Sequence, residues 1–188
     1  MLIRGLAQRP PLMFAAVLVA VLTACGGEPT SVTTVSSAPT QAETVGLPTN
    51  VEGPFPVARV VDGDTVRGVI EGQEFPVRLI GIDTPETVDP NRPVECAWPE
   101  ASVYAEQLMN GQMVYLELDP SQGVTDKYDR LLAYVWLPSG VMVNLLMVEA
   151  GLADEYTYAA PYRYQQEFRA AQEIAQSQLV GKWGEICY

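Results

Sequence analysis

Closely spaced turn signals inside a β-rich stretch constrain the fold of this chain most. Between residues 57 and 82, apolar and β-branched residues recur, and the pairs Asp62-Gly63 and Glu71-Gly72 interrupt them. Such glycine-containing pairs favour tight reversals of the chain. The stretch therefore predicts a meander of three short strands.

The segments after residue 82 predict one helix, then two strands, then two further helices. Pro99 suits the first turn of the first helix, which carries Ala101, Ala105 and Leu108 on one face and ends at Gly111. The later elements are strands over residues 114–118 and 131–137 and helices over 141–150 and 164–175. Five strands and three helices in this order predict an α+β fold rich in β structure, compatible with a five-stranded OB-type barrel. Periodicity alone does not separate that barrel from other α+β folds.

The N-terminus has the pattern of a targeting segment. Arg4 and Arg9 precede an apolar run, residues 12–22, which is too short to span a bilayer but fits a signal-peptide core. A buried core helix is the alternative. The run ends in Leu-Thr-Ala-Cys at residues 22–25, which resembles a bacterial lipoprotein processing box, and that resemblance implies that Cys25 is acylated.

These signals predict a signal peptide over residues 1–24 and a lipidated N-terminus with a disordered tether over 25–53. The globular domain is expected over 54–188. The protein is then exported and held by its lipid on the extracytoplasmic face of the cell membrane, so the membrane is one expected partner.

The charge balance argues against simple attraction of nucleic acid. Eleven Lys and Arg residues oppose 23 Asp and Glu residues, which gives a formal net charge of -12. A field of that sign repels polyanions at long range, so any nucleic-acid chemistry must depend on a local site. The chain contains no His, which excludes histidine metal sites, histidine general bases and Ser-His-Asp triads.

Three polar segments contain the residue types of phosphodiester hydrolysis. They are residues 61–65 (Val-Asp-Gly-Asp-Thr), 77–86 (Val-Arg-Leu-Ile-Gly-Ile-Asp-Thr-Pro-Glu) and 125–134 (Thr-Asp-Lys-Tyr-Asp-Arg-Leu-Leu-Ala-Tyr). Carboxylates suit a hard cation, arginines suit phosphoryl oxygens, and a nearby carboxylate can take a proton from water. Taken singly, each segment is equally typical of a turn, a helix start or a polar hairpin.

The ordered set resembles the staphylococcal nuclease family over roughly residues 57–158, most specifically at Arg-x-x-x-x-Asp-Thr-Pro-Glu, which begins at Arg78. The resemblance implies a calcium-dependent, sugar-nonspecific endonuclease acting on DNA and RNA. It also implies cleavage on the 5′-oxygen side that leaves 3′-phosphates. Two other classes stay open: a weakly active or inactive domain that serves as a surface binding module, and a structural surface lipoprotein. The chain is expected to be monomeric.

The resemblance also implies a role for each site residue. Asp64 and Asp83 are calcium ligands through their carboxylates, and Thr84 is one through its backbone carbonyl. Glu86 is the general base. The other implied contacts are Arg78 on the scissile phosphate, Arg130 on the transition state, and Lys127, Tyr128 and Tyr156 on the neighbouring phosphate and nucleotide.

The chain departs from the family pattern at two places. Asp129 stands where the family usually has glycine, and the loop over residues 87–93 holds one basic residue where the family type is lysine-rich.

Cys96 and Cys187 remain once Cys25 is assigned to lipidation. Two cysteines in an exported chain predict a disulfide, with two unrelated buried thiols as the alternative.

Overall fold

The computed structural model describes residues 46–85 and 96–187. The predicted signal peptide, Cys25, most of the predicted tether, Glu86 and the loop over 87–93 lie outside these residues. The elements are strands β1 (Val51–Val60), β2 (Thr65–Ile70), β3 (Gln73–Leu79), β4 (Ile82–Asp83), β5 (Met113–Glu117), β6 (Leu131–Trp136) and β7 (Asp154–Glu155), helices α1 (Trp98–Met109), α2 (Val143–Glu149) and α3 (Gln165–Ser177), and a 3-10 turn at Gly181–Trp183.

Five of the strands close into a barrel in the order β1-β2-β3-β6-β5. Neighbouring strands are antiparallel except β3 and β6, which are parallel. A parallel pair needs a long crossover connection, and α1 and β5 lie in that connection. The prediction of a five-stranded OB-type barrel with three helices is confirmed.

The barrel differs from the predicted meander at both ends. Strand β1 begins at Val51, inside the stretch predicted as tether, because Val51 pairs with Glu117 of β5. A register shift between Glu52 and Phe55 accommodates the Gly-Pro pair, whose proline cannot donate to a ladder. At the other end, Ile82–Asp83 leaves the meander as β4 and pairs with β7 in a separate two-stranded sheet.

The helices cover the barrel with the apolar faces that their spacing predicts. Helix α1 buries Ala101 and Ala105 completely, but Met109 rather than the predicted Leu108 completes the face. Positions i, i+4 and i+8 form one row of a helix, and Met109 belongs to that row. Helix α3 buries Phe168.

No helix in the described part of the chain is long and apolar enough to cross a membrane.

One polar residue of α2 fastens the helix to the barrel. The fully buried Asn144 accepts a hydrogen bond from the Val135 amide of β6 at 2.8 Å. Its amide group donates to the carbonyl of Ile80 at 2.9 Å. A buried amide must find such partners, so Asn144 fixes the chain just before β4.

The Cys96–Cys187 disulfide predicted from the cysteine count is confirmed. The two Cα atoms lie 5.7 Å apart, and the bond joins the segment before α1 to the C-terminal end across a sequence separation of 91 residues. A crosslink of that length stabilises the fold by roughly 4–5 kcal/mol in the chain-entropy model.

Candidate active site

The first acidic residue of the site lies in the turn between β1 and β2. Asp64 is 6% exposed, and the Thr65 hydroxyl donates to its Oδ1 at 3.0 Å. The amide and the hydroxyl of Thr84 each donate to its Oδ2 at 3.0 Å. Three donors from two distant segments therefore hold the Asp64 carboxylate in one orientation.

Arg78 brings the second carboxylate beside the first. Its Nη1 lies 2.7 Å from Oδ2 of Asp64, and its Nη2 donates to Oδ1 of Asp83 at 2.8 Å. The Nη1 contact is an ion pair without hydrogen-bond direction, since this buried nitrogen has no hydrogen-bond partner. Because both carboxylates contact one guanidinium group, the charges of Asp64 and Asp83 converge at the end of the barrel.

Contacts with residues far away in the sequence position the segment that carries Asp83. Strand β4 pairs Asp83 with Asp154 of β7. The backbone carbonyl of Gly81 accepts a hydrogen bond from the Tyr156 amide at 2.9 Å and one from the Tyr162 hydroxyl at 3.2 Å. Gly81 has a φ of 80°, and a Cβ there would lie 2.6 Å from the Tyr162 ring, so glycine is required at this approach.

The second arginine is held by a carboxylate in its own turn. Asp126 Oδ2 accepts from Nε of Arg130 at 2.7 Å and lies 2.7 Å from its Nη2. Its Oδ1 accepts from the backbone amides of Tyr128 and Arg130 at 2.9 and 3.0 Å. Burial of Asp126 would raise the pKa of its carboxyl, but these Arg130 and Tyr128 donors outweigh burial and hold the pKa below its ordinary value.

Arg130 reaches the Asp64 cluster through a threonine. Its Nη1 lies 3.5 Å from the hydroxyl oxygen of Thr65, which in turn donates to Asp64. The turn is closed by Asp129, whose φ of 59° lies in the left-handed region. Asp adopts that region more readily than most residues, so the family's usual glycine is replaced without loss of the turn.

A cleft of about 550 Å³ opens beside the two arginines. Lys127 and Arg130 both lie over the ring of Tyr128, at 4.9 and 5.4 Å from its centroid. The Tyr156 and Tyr158 rings also line the cleft and are 6.4 Å apart. Exposed aromatic faces with cations beside them suit a base and a phosphate.

The structure thus brings together eight of the residues predicted for the site, namely Asp64, Arg78, Asp83, Thr84, Lys127, Tyr128, Arg130 and Tyr156. Glu86 lies outside the described residues. Cys96 and Cys187 lie at their disulfide, away from the cleft lining.

Sequence reasoning named no role for three further groups. Asp126 orients Arg130, and the available signal was an Asp at the start of a polar turn, where its side chain often accepts from the backbone two residues on. Thr65 links Arg130 to Asp64, and no local sequence pattern predicts that contact. Burial, and then the neighbouring Asp64 carboxylate, raises the pKa of Asp62 to about 6.

The donor set fits a hard divalent cation. Asp64 and Asp83 converge, Thr84 supplies a backbone carbonyl in the same segment, and every group is an oxygen donor. In the described part of the chain no group of three or more acidic, His or Cys side chains forms. Waters or residues beyond the described ones must complete any coordination shell.

Comparison with known proteins agrees with this geometry. The family model of staphylococcal nuclease homologues matches residues 76–185. The thermonuclease of Staphylococcus hyicus is 39% identical over 141 residues, which are 75% of this chain and 82% of that protein. The thermonuclease of Staphylococcus intermedius is 41% identical over 136 residues, covering 72% and 79%. Endonuclease YncB of Bacillus subtilis (strain 168) is 35% identical over 131 residues, covering 69% and 61%.

Proposed function

The chain belongs to the staphylococcal nuclease family, and we propose that it is a calcium-dependent, sugar-nonspecific endonuclease for DNA and RNA. It is a nuclease hydrolase, and its substrate is nucleic acid. The finer proposal includes cleavage on the 5′-oxygen side that leaves 3′-phosphates. The observation that carries the nuclease proposal is the convergence of the Asp64 and Asp83 carboxylates on Arg78.

The family is metal-dependent, and the ligand types here favour calcium. Asp64 and Asp83 would hold the ion through carboxylate oxygens, and Thr84 would hold it through its carbonyl. When bound, calcium would supply positive charge that offsets the negative charge on the phosphodiester oxygens. The Thr65 and Thr84 donors keep the Asp64 oxygens aimed at one place, which lowers the cost of ordering the site.

The arginines act on the phosphodiester itself. Arg78 donates to a nonbridging oxygen of the scissile phosphate, and Arg130 donates where negative charge grows in the pentacoordinate transition state. The Asp126 carboxylate contacts Nε and Nη2 of Arg130 and so orients its guanidinium group. The remaining Nη1 of Arg130 points toward the Thr65 side of the site, where Asp64 lies.

Glu86 takes the proton of the attacking water. It follows Pro85 directly after Asp83 and Thr84 in the sequence. A carboxylate within hydrogen-bond reach of the attacking water can accept its proton. Lys127, Tyr128 and Tyr156 bind the neighbouring terminal phosphate and nucleotide in the cleft.

Digestion with and without metal tests the proposal. A labelled oligonucleotide is incubated with the purified chain in calcium and in excess chelator, and the product ends are identified by mass spectrometry. We expect cutting only with calcium and 3′-phosphate ends on both DNA and RNA. Glu86→Gln should lower the single-turnover rate by about 10²–10⁴-fold. Binding without cutting in calcium would instead identify a binding module.

We also propose that the protein is exported and anchored to a membrane through acylated Cys25, and that it acts there as a monomer. The support is the basic flank, the short apolar run and the Leu-Thr-Ala-Cys box. Detergent phase separation compares wild type with Cys25→Ser. The wild type should enter the detergent phase and the variant should not; equal partition into water contradicts the anchor.

A further inference from the structure

A row of arginines continues beyond the site along one face of the barrel. Thr65 of β2 lies directly opposite Arg78 of β3, and Arg67 lies directly opposite Arg59 of β1. Opposed residues share a sheet face, and so do alternate residues of one strand. Arg59, Arg67, Thr65 and Arg78 therefore lie on one face, while Val66 between them points into the core.

The outer two arginines have only one long ion pair between them within the described residues. Arg67 is 35% exposed, its Nε has no hydrogen-bond partner, and its nearest acid is Glu74, whose Oε2 is 4.0 Å away. Arg59 is exposed and forms no salt bridge within residues 46–85 and 96–187. Like charges directly opposite each other destabilise a sheet. An anion between the two side chains would remove that cost.

The pair lies outside the lining of the cleft. The cleft is lined by Arg78 and Arg130 but not by Arg59, Arg67 or Thr65. Arg67 follows Thr65 by two residues, which places their Cα atoms about 7 Å apart along the strand. A nucleic-acid strand that enters through the cleft and crosses the catalytic arginines would therefore continue over this pair.

We propose that Arg59 and Arg67 form a second phosphate subsite, which binds a backbone phosphodiester of the substrate adjacent to the scissile one. The proposal rests on the proposed nuclease function and deepens it. Guanidinium groups bind phosphate bidentately, so two of them on an otherwise acidic protein give a local grip on a polyanion. The subsite gives this chain a means of holding a strand that its net charge repels at long range.

Equilibrium binding without metal tests the subsite. Fluorescence anisotropy of a fluorescein-labelled twelve-nucleotide oligothymidylate is followed in chelator, over a salt series, for wild type, Arg59→Gln, Arg67→Gln and the double variant. At about 0.1 M salt each single change should weaken binding about 5-fold, because one phosphate contact contributes a slope near -0.7 in log K against log salt. The double variant should lose about 25-fold and about 1.4 of slope.

Two further variants separate a local contact from a general charge effect. Arg169→Gln removes one charge from an exposed arginine of α3, paired with Glu155 at 3.3 Å, and should weaken binding less than about 2-fold. Glu74→Gln removes the acid beside Arg67 and should tighten binding. The double variant Arg59→Lys with Arg67→Lys keeps both charges. It should retain most of the salt slope, which would show that the Gln variants lose slope through lost phosphate contacts and not through unfolding.

The outcomes distinguish this subsite from the nuclease proposal. If Arg59→Gln and Arg67→Gln each weaken binding only as much as Arg169→Gln does, the subsite is overturned, even if the wild type cuts DNA. No measurable wild-type binding at low salt overturns it as well. Loss of binding in the double variant together with a wild type that fails to cut in calcium supports the subsite and contradicts only the proposed reaction.

Discussion

Within residues 46–85 and 96–187, a buried carboxylate faces an arginine at two places, at Asp64 with Arg78 and at Glu117 with Arg163. The Glu117 carboxylate is completely buried, and its oxygens accept hydrogen bonds from Trp136 at 3.0 Å, Tyr164 at 2.9 Å and Asn50 at 3.1 Å, as well as from Arg163. Burial, and then Glu117, raises the pKa of Tyr164 to about 12, so this phenol stays a donor. The cluster is closed within the chain.

The site around Asp64, by contrast, borders the cleft. Arg78 contacts two carboxylates, yet its Nη1 makes no directed hydrogen bond, and the side chain of Asp83 is 46% exposed toward the cleft. Both places thus combine a buried carboxylate with an arginine. The difference is that donors and acceptors match within a closed cluster at Glu117, whereas the Asp64 site opens onto the cleft through Arg78 and Asp83.

The largest effect expected from this comparison is at Asp83. Asp83→Ala should lower the calcium-dependent cleavage rate by about 10³-fold or more, because metal catalysis contributes several kcal/mol. Since the side chain is 46% exposed, the free energy of unfolding should change by less than about 1 kcal/mol. Single-turnover cleavage and urea unfolding of the same preparation measure the two quantities. A rate within tenfold of wild type would show that Asp83 is no ligand.

A second prediction concerns the arginine held by Asp126. Arg130→Lys should lower kcat by on the order of 10²-fold, because lysine cannot keep two donors on Asp126 and still donate to the phosphoryl group. Arg169→Lys on α3 is the matched control and should cut within about twofold of wild type. The measurement is single-turnover cleavage at saturating oligonucleotide. Equal rates for both variants would remove Arg130 from the site.

The closed cluster should show the opposite behaviour. Glu117→Gln puts an amide donor opposite the Trp136 and Tyr164 donors, so it should cost about 2–3 kcal/mol of unfolding free energy; the partly exposed Arg163 limits the loss. Calorimetry should find the Tm lowered by roughly 6–10 °C. The kcat of the folded fraction should stay within about twofold of wild type. A large fall in kcat at unchanged stability would contradict the distinction between the Glu117 cluster and the Asp64 site.

The smallest effect is expected where an acid occupies a left-handed turn position. Asp129→Gly should raise the free energy of unfolding by about 0.5 kcal/mol, since glycine adopts a positive φ without steric cost. Glu71→Gly is the control, because Glu71 has a φ of 50° in the β2–β3 turn and lies away from Arg130. If Asp129 also competes for Arg130, only Asp129→Gly raises kcat/KM. Equal kcat/KM in both variants limits its role to the backbone.

Sequence reasoning predicted the local parts of this molecule well because their signals are local. The turn pairs at residues 62–63 and 71–72 act within a few residues, and so does the spacing of Ala101 and Ala105 on α1. The resemblance supplied the identities of the site residues in advance. It did not extend to Asn144 or Thr65, whose contacts join segments far apart in the chain.

Local patterns in the sequence predicted the five barrel strands, the three helices, the residue types of the site and the pair of cysteines available for a disulfide. The parallel pairing of β3 with β6, which brings the Arg130 turn to Thr65 across 65 positions of sequence, came only from the packed fold. So did the start of β1 at Val51, the sheet of β4 and β7, and the approach of Arg59 to Arg67. Turn and helix preferences involve neighbouring residues, whereas strand pairing and side-chain matching depend on the packing of the whole barrel.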